Sequence, residues 1–172
     1  MDKFIRFVEE KVVPVVGKFS SHKYIKALRS GFLAVMPLTI IGSIFLLITD
    51  FPITGYPEFM EGIFGANWAS YLEPAYRATF NILGFLLVGT LTYKLSEEYK
   101  LDSLSVMVIS IVSYVIVTPK FVTSTSGEVI NKVLPMAWLG TQGVITAIIL
   151  SIVVTEIYRF VVKKNLVIKL PD

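Results

Sequence analysis

The chain has no cysteine, so it forms no disulfide, offers no thiolate to a metal and cannot carry phosphate on a cysteine of its own. It has a single histidine, His22, which excludes a cage of several histidines. Charge is scarce: 17% of residues are Asp, Glu, Lys or Arg, against about 25% in an ordinary globular domain. The formal charge of +3 gathers into no patch, which argues against nucleic acid as a partner. Most telling is where charge is missing. Four stretches, 32–49, 78–93, 103–119 and 133–155, contain no charged residue at all. A soluble amphipathic helix keeps one wet, charged face. Segregating charge along the chain, rather than around each helix, is what a bilayer imposes.

What is present agrees: 54% of residues are hydrophobic and the mean hydropathy is +0.70. A run of 18 residues rises about 27 Å as a helix, close to the roughly 30 Å hydrocarbon core. The chain reads as an all-α integral membrane protein with four transmembrane helices, at about 30–49, 76–95, 103–119 and 133–156. The segment before the first run is too long for the charged start of a cleaved leader, and a retained helix is expected. Residues of about 3–16 set Phe4, Ile5, Val8, Val12 and Val15 against Lys3, Arg6, Glu10 and Lys11. That stretch is too short to span, and reads as an amphipathic helix in the headgroups or one packed beneath the bundle. Gly17 and Ser20-Ser21 should end it.

Lys and Arg fix the expected orientation. The N-terminal segment has seven, the 94–102 connection has Lys94 and Lys100, and the tail has Arg159, Lys163, Lys164 and Lys169. The intervening loops carry only Arg77, Lys120 and Lys132. Thirteen against three places both termini in the cytoplasm, for a multi-pass protein of the cell membrane. The 50–77 loop is rich in aromatics and should hug the interface, with Pro57 and Pro74 each suited to a first helical position. Residues 121–130 read as a small hairpin or irregular turn. The apolar pattern continues past Glu156 as an amphipathic extension.

Polar groups inside spans are expensive and face something. Here they are Asn81, Gln142 and scattered Ser and Thr, with Ser103, Ser110 and Ser113 on one face of the third span. Pro37 should bend the first span, with Gly42 a turn later. Gly140, Gly143, Ala147 and Ser151 make a small-residue stripe that lets helices approach. These residues are expected to serve packing, with Asn81 and Gln142 bonding across helices. No catalytic, cofactor-binding, metal-binding or substrate-binding residue stands out, and no cofactor is implied. His22 lacks a carboxylate partner, Glu97 and Glu98 read as a solvated turn, and Glu156 with Arg159 as an i, i+3 ion pair at a helix end.

Several segments do carry a family resemblance: FIRFVEEKVVP (4–14), KALRSGFLAVMPLTIIGSIF (26–45), YRATF (76–80), LGTQG (139–143), and EIYRF (156–160) through IKLP (168–171). In this order they resemble the start of the membrane component, EIIC, of sugar phosphotransferase systems, in the lactose/cellobiose/chitobiose branch. Members are more than twice this long. The resemblance implies that the whole chain, 1–172, is the N-terminal scaffold half of an EIIC domain, which dimerises. It also implies that the sugar-site half, with its histidine and glutamate, is absent. No position here matches those two residues, and His22 is not that histidine. Phosphate would come from a cysteine on an EIIB component, itself supplied through EIIA. The expected function is that of a permease component for a β-linked disaccharide such as cellobiose or chitobiose, inactive alone and not an enzyme by itself. The alternative is an independent four-helix membrane scaffold or regulatory protein without transport activity. A membrane enzyme would need a catalytic constellation that the residues do not offer.

Overall fold

A computed structural model describes residues 20–124 and 127–166, and residues 5 and 17 besides. The expected interfacial helix at about 3–16 therefore lies outside the described residues, except for Ile5. Gly17 and Ser20 are helical, and the break before the first span falls at Ser21 and His22.

The architecture is helical. Helix α1 is Lys23–Thr49, α2 is Tyr56–Phe64, α3 is Trp68–Phe80, α4 is Leu83–Tyr99 and α5 is Ser103–Val117. Two short strands follow, β1 (Phe121–Thr123) and β2 (Val129–Asn131), then α6 (Met136–Leu139), a 3-10 turn at Thr141–Gly143, and α7 (Val144–Lys163). Three helical stretches are long and apolar enough to cross a membrane: Lys23–Thr49, the nearly continuous Trp68–Tyr99, and Thr141–Lys163. Helix α5 is apolar but shorter.

These bounds correct the sequence reading in four places. The first span begins at Lys23 rather than near residue 30, because its basic first turns are as helical as its apolar body. The second is not 76–95 but two helices meeting at Asn81-Ile82, and Pro74 lies inside α3 rather than at its start. Pro57 does occupy the first turn of α2. The third ends at Val117 rather than residue 119, since Thr118 precedes proline and is extended, as that position favours. The fourth does not run unbroken over 133–156. Pro135 and the glycines at 140 and 143 divide its first part into a short helix and a 3-10 turn, and α7 proper extends to Lys163. Lack of charge marks what lipid tolerates, whereas helix ends obey proline and glycine.

Helix α4 is the centre. Leu87, Val88, Leu91, Thr92, Leu95 and Ser96 on it are all essentially buried. It packs against α1 on one side and α5 and α7 on the other, while α3 continues it along the far half of α1. Glycine makes the α1 contact close: a β-carbon on Gly31 would strike Leu91, and one on Gly42 would strike Thr79 and Phe80. Outward faces stay apolar, with Ile40, Ile41, Ile44 and Leu47 of α1 about half exposed. In water that would be an aggregation surface, whereas in a bilayer it is the solvated one. Strands β1 and β2 pair antiparallel, Val122 opposite Ile130, in the hairpin expected there.

Candidate functional site

Three polar arrangements interrupt this apolar bundle. The first ties helix ends together at the basic end. The Tyr24 hydroxyl of α1 donates to Glu156 Oε1 of α7 at 2.7 Å, and Arg159 donates to Glu156 Oε2 at 3.1 Å. The Arg159 guanidinium also lies 4.2 Å from the Tyr99 ring centre, and Lys23 Nζ lies 4.7 Å from it. Lys23 Nζ donates to the Glu98 carbonyl, and Lys26 Nζ pairs with Glu98 Oε1 at 2.8 Å. Cation–π and ion-pair contacts of this kind strengthen where water is partly excluded. Glu97 and Glu98 thus lie in the last turns of α4 rather than in a turn: Glu97 is solvated as expected and pairs with Lys94, while half-buried Glu98 pairs with Lys26. The expected Glu156–Arg159 pair forms, and Tyr24 joins it. His22 precedes α1 and stacks on Tyr24 at 5.2 Å between ring centres.

The turn beyond α4 is closed by Lys100, whose left-handed backbone lets the Leu101 amide donate to the Ser96 carbonyl. Asp102 then caps α5. Its carboxylate accepts from the Ser105 hydroxyl and amide, and those bonds hold its pKa below the ordinary aspartate value.

The second arrangement is a set of buried hydroxyls. Thr92 of α4 and Ser110 of α5 are 2.8 Å apart, both fully buried, and Thr92 also donates to the Val88 carbonyl. Ser151 and Thr155 of α7 donate to carbonyls one turn back. Ser103, Ser110 and Ser113 share a sequence pattern but not an environment: Ser110 is buried, while Ser103 and Ser113 are half-buried, and Ser113 donates to the Ile109 carbonyl.

The third is the junction of two helix breaks. The α3–α4 break and the Gly140–Gly143 turn touch, and the Gly84 amide donates to the Gly140 carbonyl at 3.2 Å. Tyr114 closes the junction from α5. Its hydroxyl donates to the Trp138 carbonyl at 2.7 Å, with the Gly143 carbonyl at 3.2 Å as the weaker branch. Added β-carbons on Gly84 or Gly143 would meet that hydroxyl, and one on Gly140 would meet the Phe80 carbonyl. Gly143, Ala147 and Ser151 are buried, Gln142 is exposed, and Asn81 is half-buried. Pro37 sits on an exposed face of α1, away from Gly42, which is buried against α3. The sequence reading missed Tyr114, Tyr24 and Tyr99. The available signal was a tyrosine in or beside a charge-free run, because a buried phenol needs an acceptor.

None of these arrangements pairs a nucleophile with a base. Among the described residues no three His, Asp or Glu side chains gather as a metal site. An apolar recess of about 420 Å³ is lined by Ile48, Met60, Phe64, Trp68, Tyr71 and Leu72 at the end opposite the basic cluster.

Comparison with known proteins supplies what local chemistry does not. The family model described as "Phosphotransferase system, EIIC" matches residues 29–172. The chain belongs to the phosphotransferase system EIIC family. It is 41% identical over 177 residues to the PTS system cellobiose-specific EIIC component of Geobacillus stearothermophilus, covering 100% of this chain and 39% of that protein. It is 31% identical to the PTS system lactose-specific EIICB component of Staphylococcus epidermidis, over 99% of this chain and 28% of that one. The crystal structure of the transporter ChbC, the IIC component from the N,N'-diacetylchitobiose-specific phosphotransferase system, superposes with a TM-score of 0.85 at 41% identity. That match covers 97% of this chain and 40% of ChbC. This EIIC chain thus spans about two fifths of the length of such relatives. Family and apolar helices together make it a multi-pass membrane protein.

Proposed function

We propose that this chain is the scaffold half of an EIIC permease for a β-linked disaccharide such as cellobiose or chitobiose, and that it transports nothing alone. The observation that carries this reading is the near-complete match of the chain to two fifths of longer EIIC proteins. The sugar class is supported by relatives named for cellobiose, lichenan and N,N'-diacetylchitobiose. In the same reading residues 1–172 form one partial EIIC domain, the oligomerisation part, which pairs with a second copy. EIIB and EIIA act with the completed permease. Phosphoryl transfer resides on those other domains or subunits, consistent with a chain that has no cysteine. Both chain ends face the cytoplasm, supported by the excess of Lys and Arg at that end.

The test is uptake of radiolabelled cellobiose or diacetylchitobiose by cells that lack their own permeases but keep the soluble components. Cells making only this chain should accumulate no sugar phosphate. Accumulation above the empty-vector level would contradict the proposal.

A further inference from the structure

The double helix break lies at a depth where lipid is the solvent. Along α4, Gly84 is about 15 Å from Lys94, the first charge toward the basic end. Along α5, Tyr114 is about 17 Å from Ser103, which follows Asp102. Along α7, Gly143 is about 20 Å from Glu156. Three helices agree, and in a hydrocarbon layer of about 30 Å they put the junction inside, beyond the midplane from the basic end.

Non-helical backbone is stable at such depth only where protein or enclosed water covers it. On its inner side the junction is covered, since Gly84, Gly140 and Gly143 are buried, the Gly84 amide donates to the Gly140 carbonyl, and Tyr114 serves the Trp138 and Gly143 carbonyls. Its other side is bare. Thr141 and Gln142 are exposed, Asn81 is half-buried, and none of the three side chains hydrogen-bonds to another described residue. Other exposed residues near that depth are apolar, such as Ile145 and Ile149 of α7 and Val112 of α5, or have their polar group satisfied, as exposed Ser43 of α1 does by donating to the Thr39 carbonyl. Hydrocarbon can satisfy neither a carboxamide nor a hydroxyl, and such groups ordinarily face protein or a cavity.

We propose that Asn81, Thr141 and Gln142 form a hydrogen-bonding seat for another membrane-spanning segment, lying outside these 172 residues and carrying Ser, Thr, Asn, Gln or His at that level. Two carboxamides and a hydroxyl supply donors and acceptors together, so either kind of partner group finds a match. The chain to do the covering exists in the family, because the cellobiose-specific and chitobiose-specific relatives run well beyond the matched stretch. The inference rests on reading this chain as part of a longer permease.

The test places the photocrosslinker p-benzoylphenylalanine at Gln142, and as a control at Ile149, in the full chain made in its native host. Captured material is identified by peptide sequencing. Capture at 142 of an EIIC membrane segment from outside these 172 residues, with only lipid adducts at 149, is the expected result. Replacing Asn81 and Thr141 by leucine and valine should lower that yield about fivefold. Capture of a second copy of this chain at 142, of an unrelated protein, or of lipid alone would overturn the seat. Should the crosslinker variant fail to insert, Gln142→Cys gives a unique nitroxide position in a chain without cysteine. Low accessibility to both oxygen and a nickel chelate supports a protein cover, and high accessibility to either overturns it. Sugar uptake is a separate readout, so a wrong transport assignment and a wrong seat are distinguishable.

Discussion

Tyr114 is fully inside the bundle, and its hydroxyl serves carbonyls that a broken helix leaves without partners. Tyr114→Phe keeps the ring and removes the donor, which leaves the Trp138 carbonyl unsatisfied away from water. The expected loss is about 1–3 kcal/mol, read as a lower thermal midpoint in mild detergent. An unchanged midpoint would mean that the junction holds without it. Asp102 makes a pH-dependent claim at the same scale. Hydrogen bonds from Ser105 lower its folded pKa, so its stabilisation is complete above the unfolded value near 3.8 and vanishes as pH falls through the lowered folded value. The midpoint gap between wild type and Asp102→Asn should therefore be full at pH 6 and shrink as the pH is taken below 3.8. A gap that stays constant with pH would refute the cap's role.

Elements were legible to the extent that lipid dictates them. The charge-free runs located α1, α4, α5 and α7, because excluding charge is a solvent effect written along the chain. Helix ends inside those runs were not legible that way. Asn81 and Ile82 interrupt a stretch with no proline and no charge, and the cause lies in tertiary contact, where the Gly140 turn wedges against Phe80 and Asn81. The junction was half visible: Gln142, Gly140 and Gly143 stood out as polar or small, while Tyr114 passed as one more apolar aromatic. At the level of helix pairs, α1 approaches α3 at Gly42, where a β-carbon would collide with the Thr79 hydroxyl and the Phe80 ring. Gly42→Val should separate the two helices at a cost of about 1–3 kcal/mol. A lower thermal midpoint of the variant in mild detergent would report it. An unaltered midpoint would show that the contact tolerates bulk.

Seen whole, the bundle is electrically lopsided. At the end where α1 begins and α7 finishes, Lys23, Lys26, Arg29, Lys94, Lys100, Arg159, Lys163 and Lys164 outnumber Glu97, Glu98, Asp102 and Glu156. At the other end Asp50, Glu58, Glu61, Glu73 and Glu128 outnumber Arg77, Lys120 and Lys132. The 2.7 Å bond between Tyr24 and Glu156 holds the start of α1 and the end of α7 at one level, so those two ends share a side of the membrane. Which side is a matter of basic residues resisting translocation, and in the proposed function their excess puts that end in the cytoplasm.

The most direct measurement uses the absence of native cysteine. Single cysteines at Thr54, Glu128 and Lys164, all exposed, are treated in intact cells with a membrane-impermeant maleimide. Thr54→Cys and Glu128→Cys should label at once, and Lys164→Cys only after the membrane is opened. Labelling of all three in intact cells, or of Lys164→Cys alone, would contradict a bundle that crosses the bilayer with its basic end inside.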